Sequence, residues 1–71
     1  MEFLVAIYNK RNDRLLLEAK STEEGVVDIL KRFSSLNGFD QATFMHELRQ
    51  ADAASILEEN QLPYEIVASK L

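Results

Sequence analysis

The run from Ser21 to Gly38 holds a helix start, an apolar stripe and a helix stop in order, and this constrains the chain more than any other stretch. Ser21-Thr22-Glu23-Glu24 has capping-box spacing: the Ser21 hydroxyl is placed to accept the backbone N–H of Glu24, whose carboxylate reaches back to the N–H of Ser21. Glu23, Glu24 and Asp28 put negative charge toward the positive end of the helix dipole, and Lys31 and Arg32 lie toward its negative end. Val26, Ile29, Leu30, Phe33 and Leu36 recur at three- and four-residue spacing, with Val27 widening the stripe, so this helix must have a core to face. Asn37-Gly38 supplies the stop, since glycine readily takes the left-handed conformation of a helix C′ residue. Gly25 is out of character in the first turn, where glycine costs up to about 1 kcal/mol against alanine. It reads as a tolerated weak point, or else as a close approach by another backbone.

A helix of this kind needs a surface to cover, and the flanking segments supply strands. Phe3-Leu4-Val5-Ala6-Ile7-Tyr8 is a continuous apolar run with β-branched and aromatic members, which predicts a central strand buried on one face or both. Turn formers and bases gather from Asn9 to Asp13, and Arg14-Leu15-Leu16-Leu17-Glu18-Ala19 resumes an extended pattern, so the two runs make a β-hairpin. Leucine is also a good helix former, but a helix here would leave the first strand without a local partner.

Beyond Gly38, Asp40 suits an N-cap and Phe39 is spaced to pack against Phe44 as a hydrophobic staple, so a second helix starts near Gln41. At about 100° per residue, Phe44, Met45, Leu48 and Ala51 share one side of the wheel, whereas Ala53, Ala54, Ile56 and Leu57 centre on nearly the opposite side. A break at Ala51-Asp52, with Asp52 capping a short third helix, accounts for the change. Asn60 and Pro63 then stop that helix near Glu59. Tyr64 to Ser69 reads as a strand added beside the first, with Tyr64, Ile66 and Ala68 on one face and Glu65, Val67 and Ser69 on the other. The expected class is α+β: a small three-stranded antiparallel or mixed sheet in the order β-β-α-α-α-β, with the helices packed on one face.

Size and composition narrow the rest. With 71 residues there is room for one domain, which spans 1–71, and such a chain buries only about 60% of its unfolded surface. Without cysteine, neither a disulfide nor a thiolate metal site adds stability, so a well-packed core or self-association must. The apolar run at Phe3 follows Glu2 with no basic lead and is too short to span a bilayer, so a cytoplasmic protein with no membrane contact is expected. The net charge of −4 is unevenly placed: residues 1–39 hold six acids and six bases, whereas 40–71 hold six acids against Arg49 and Lys70. That half opposes phosphate and favours a basic partner, unless it is only a solvated face.

Few residues suggest chemistry. His46-Glu47 begins like the zinc motif H-E-x-x-H, but Gln50 stands where the second histidine would be, and no other histidine exists. Ser34, Ser35 and Ser55 lack a nucleophile-elbow context, and two glycines cannot make a phosphate loop. The neighbours Glu23/Glu24 and Glu58/Glu59 would point about 100° apart on a helix, which is poor geometry for an acid and base sharing one substrate atom. The expectation is a non-enzyme with no metal and no cofactor.

Three roles then compete. The first is a protein-binding module, a small regulator, adaptor or inhibitor of the sort mobile elements carry, whose acidic second half meets a basic partner through Glu47, Asp52, Glu58 and Glu59. The second is nucleic-acid binding, with Lys10, Arg11 and Arg14 at the hairpin tip contacting phosphate and Tyr8 stacking on a base. The pattern from Gln41 to Val67, two short helices, a tight break, Leu62-Pro63 and a strand, resembles a winged helix-turn-helix of the excisionase kind over about a third of the chain. It departs from that pattern in its recognition helix, which carries Glu58 and Glu59 and neither Lys nor Arg. The third is a structural homodimer, suggested by apolar residues beyond what one helix face needs, notably Tyr8, Phe39, Met45 and Tyr64.

Overall fold

The computed structural model describes residues 1–71. The chain forms β1 (Glu2–Asn9), β2 (Leu15–Thr22), α1 (Glu23–Phe33), α2 (Gly38–Gln50), β3 (Ser55–Glu58) and β4 (Tyr64–Lys70). The class is α+β, with two helices and one antiparallel sheet of four strands in the order β2-β1-β4-β3. Two β-hairpins thus flank a helical hairpin, and the sheet closes through a β1–β4 ladder running from Phe3 opposite Lys70 to Asn9 opposite Tyr64.

The apolar run at Phe3 is the central strand that its composition demands. Phe3, Val5 and Ile7 point to one side, where Ala68 and Ile66 lie opposite Val5 and Ile7 on β4, and Val26, Leu30, Met45 and Leu48 close over them from the helices. These nine side chains are the core, and burying them is the main force for folding. Val27, Ile29, Phe33, Phe44, Leu57 and Tyr64 pack half-buried around them, with the Phe33 and Tyr64 rings edge-on at 6.0 Å. Leu4, Ala6 and Tyr8 face the other side of the sheet, which no helix covers, so all helical packing is on one face.

The third helix expected after Asp52 is a strand. Ile56 lies opposite Val67 and Leu57 opposite Ile66, so the reversal of apolar phase at this point is strand alternation. The helix propensity of Ala53 and Ala54 loses to a tertiary gain: β4 needs a partner along its outer side, and Leu57 reaches the core while Ile56 stays 63% exposed.

Both caps also differ from expectation. β2 runs on through Ser21, opposite Phe3, to Thr22, and α1 starts at Glu23, so Thr22 is the cap, its Oγ1 accepting the Gly25 N–H at 3.3 Å. At the other end α1 stops at Phe33, where the Ser34 N–H and hydroxyl both donate to the Leu30 carbonyl, at 3.0 and 2.6 Å. Asn37-Gly38 therefore starts a helix instead of ending one: Asn37 Oδ1 accepts the Asp40 N–H at 2.8 Å, Gly38 is the first residue of α2, and no glycine has a positive φ. Asp40 lies in the first turn, and Phe39 is 79% exposed, too far into solvent to staple Phe44. Gln41 is the buried polar residue, and its Nε2 donates to the Leu36 carbonyl at 2.9 Å, fixing the link between the helices. The β1–β2 turn uses Asp13 in the left-handed region, φ 57°, with the Asn9 and Asn12 side chains accepting the Arg11 and Arg14 N–H groups.

Candidate interaction surfaces

The acidic half does not form one patch. Glu59 anchors the β3–β4 turn: its carboxylate accepts the Ser35 N–H, at 3.1 and 3.2 Å to its two oxygens, and the Ser35 hydroxyl. Glu58 is ion-paired with Lys10 at 3.8 Å, and Lys10 Nζ also donates to the Glu59 carbonyl at 2.7 Å. Lys10, although from the first half, thus sits against the two adjacent acids of the second. Glu47 on α2 and Asp52 before β3 remain exposed and outside any ion pair.

The hairpin cluster is divided in the same way. Lys10 is half-buried and held at the β3–β4 turn, where its own N–H also donates to the Pro63 carbonyl at 3.0 Å. Arg11 and Arg14 are exposed at the tip. Tyr8 lies half-buried on the uncovered sheet face, across from Glu65 on β4 and Leu15 on β2. Where a winged helix-turn-helix would place its recognition helix, this chain has β3, so no helix follows α2 that could enter a groove.

His46 is exposed on α2, its Nε2 3.3 Å from the Gln50 side chain one turn on. Ser34 and Ser35 are engaged in the contacts already described, neither with His46. The largest concavity, about 540 Å³, lies between the helices over Val27, Ala42 and Met45, with Glu24, Asp28 and Lys31 on its rim and the Glu23–Arg49 ion pair at one end. Its shape is an open groove, and the ion pair already neutralises part of its charge.

The feature with the clearest unmet physical need is the edge strand β2. It is eight residues long and pairs with β1 on one side, while no backbone hydrogen bond reaches it from the other. Along it Leu15, Leu16 and Leu17 are 49%, 57% and 43% exposed, although leucine is among the residues most often buried. A bulge separates the Ile7–Leu17 pair from the Tyr8–Leu15 pair, so the strand is regular from Leu17 to Thr22 and twisted at its leucine end. The opposite edge, β3, has four residues and ends in Glu58. Residue patterning could have marked this edge: three leucines in one strand exceed what a single buried face can take, and the surplus must meet solvent or a partner.

Comparison of the chain with protein-family models, with curated proteins and with solved structures finds no match. The functional reading therefore rests on these surfaces alone. No helix is long and apolar enough to cross a membrane.

Proposed function

We propose that the chain is a small protein-binding module that acts by occupying a surface of a partner, with β2 as the strand it offers. The observation that carries this reading is the long outer side of β2, whose backbone groups are unpaired and whose leucines stand in solvent. An exposed edge of this length is a template for another strand: main-chain hydrogen bonds supply affinity and alternate side chains supply selectivity. Natural sheets usually blunt such edges; β3 at the other side of this sheet is only four residues long, whereas β2 has eight, with its bulge confined to the leucine end. Glu47 and Asp52, exposed and unpaired, would steer a basic partner toward contact and act on the association rate more than on the final affinity.

The test compares retention of protein partners by immobilised chains. A Leu16→Lys/Leu17→Lys variant is expected to lose partners that the wild type holds, while Glu47→Lys/Asp52→Lys holds them but associates at least several-fold more slowly at low salt. Undiminished retention by the leucine variant would move the site off the edge. Salt-sensitive binding of duplex DNA that disappears in Arg11→Glu/Arg14→Glu would replace the reading with nucleic-acid recognition.

A further inference from the structure

We infer that the strand received by β2 is β2 of a second copy of this chain, paired antiparallel about a twofold axis through Ala19. The inference rests on the reading of β2 as the binding edge; it puts a second copy in place of a basic partner at that edge and adds the register.

Two identical antiparallel strands pair symmetrically only if some residue lies opposite itself. Neighbouring cross-strand pairs alternate between hydrogen-bonded and non-hydrogen-bonded types, and an axis between residues would make unlike pairs equivalent. The centres available in β2 are then Leu17, Glu18, Ala19 and Lys20. A Glu18 or Lys20 centre sets like charges directly against each other, which destabilises a ladder. A Leu17 centre places Glu18 against Leu16 and pushes the overlap into the bulge and the β1–β2 turn. An Ala19 centre places Glu18 opposite Lys20 of the second copy, and by symmetry does so twice. It also sets Leu17 against Ser21, so the ladder from Leu17 to Ser21 lies within the regular part of the strand and only the outermost Leu16–Thr22 pair touches the bulge.

The monomer leaves these groups free to pair. Glu18 and Lys20 are both exposed, neither belongs to an ion pair, and they share the uncovered face, opposite Ala6 and Leu4 respectively on β1. Alone, each would be the kind of charge that protects an edge from a second chain. Two residues apart and of opposite sign, they repel a misregistered strand and attract this one. The product is an eight-stranded sheet across two copies, with both helical layers on one face and the short β3 strands as its outer edges.

The chain is 8.1 kDa, so sedimentation readily separates one copy from two. The wild type is expected to dimerise in the micromolar range, and Glu18→Lys or Lys20→Glu to raise the dissociation constant roughly tenfold or more, since each sets like charges opposite at both sites. The double swap Glu18→Lys/Lys20→Glu should restore dimerisation. An equimolar mixture of the two single variants should form a heterodimer, because its two contacts are again of opposite sign. Register is read independently, since the chain has no native cysteine. Ala19→Cys brings two Cα atoms to about 4.5 to 5.5 Å and should cross-link under mild oxidation. Leu17→Cys leaves them about 13 Å apart and should not.

A wild type that stays monomeric at millimolar concentration overturns the proposal. So does a dimer indifferent to all three charge variants, or one in which Leu17→Cys cross-links in preference to Ala19→Cys. If the chain is monomeric but Leu16→Lys/Leu17→Lys still loses a protein partner, the second copy is wrong and the edge reading stands. If neither dimer nor partner depends on β2, both fall.

Discussion

At the scale of single residues, Ser21, Thr22 and Gly25 show how one position of register changes what each side chain does. Ser21 and Thr22 both close the β1–β2 ladder, but α1 starts at Glu23, so Thr22 holds the cap position three residues before Gly25 and turns its hydroxyl to that N–H. Thr22→Ala should therefore lower stability by roughly 0.5 to 2 kcal/mol, and Ser21→Ala by clearly less, as read by urea titration. The reverse order would restore Ser21 as the cap. The two glycines make a second test. A Cβ on Gly25 would stand 2.0 Å from Ser21 Oγ and 3.3 Å from Ser21 Cβ, so the serine hydroxyl would have to rotate away and its Cβ give slightly, which offsets any gain. A Cβ on Gly38 would meet nothing within 4 Å, and its φ is not positive. Gly38→Ala should then stabilise by about 0.4 to 1 kcal/mol through the unfolded chain, whereas Gly25→Ala should not. Loss of stability in Gly38→Ala would mean that Gly38 holds the left-handed helix stop that Asn37-Gly38 suggests in isolation.

Among the elements, β3 is the one that local preference misjudges. Its segment follows two alanines, and its phase against α2 suits a capped helix; what selects a strand is the outer side of β4, whose backbone groups β3 pairs from Ser55 opposite Ala68 to Glu58 opposite Glu65. The two states differ in which side chain is buried. In the strand, Leu57 packs against the core and Ile56 does not, so Leu57→Ala should cost about 2 kcal/mol or more and Ile56→Ala less than half as much. Equal losses, measured by denaturant unfolding, would fit a helix burying both. On the same reasoning Phe33, half-buried against Tyr64, contributes less than the fully buried Leu30, for which truncation to alanine should cost roughly 2 to 5 kcal/mol.

For the molecule as a whole, the decisive contact is β1 with β4, near opposite ends of the chain. That ladder puts Phe3, Val5 and Ile7 beside Ala68 and Ile66 and places β1 in the middle of the sheet. Removing Tyr64–Leu71 takes away two core side chains, exposes one side of β1 and leaves β3 with no partner. Such a truncation should show no cooperative thermal transition by circular dichroism; a sharp transition would mean that the β1–β2 hairpin and the helices form a core on their own. The same long-range closure brings Lys10 to the Glu58 carboxylate and the Glu59 carbonyl, so a base of the first half is held against the acidic second half.

The sequence by itself determined what depends on neighbours a few residues apart: the β1–β2 hairpin, the amphipathic stripe of α1, and the alternation that sends Tyr64, Ile66 and Ala68 to one face. These are set by backbone periodicity and need no distant partner. Of the candidate interaction residues it named, Glu47, Asp52, Arg11 and Arg14 are exposed and free of ion pairs. Tertiary structure decided the fourth strand, the choice of Thr22 and Asn37 as caps, the intramolecular contacts of Lys10, Glu58 and Glu59, and the exposure of Leu15, Leu16 and Leu17 at an edge. Each of these turns on which backbone groups and charges a distant segment satisfies, and that is fixed only when β1 and β4 have paired.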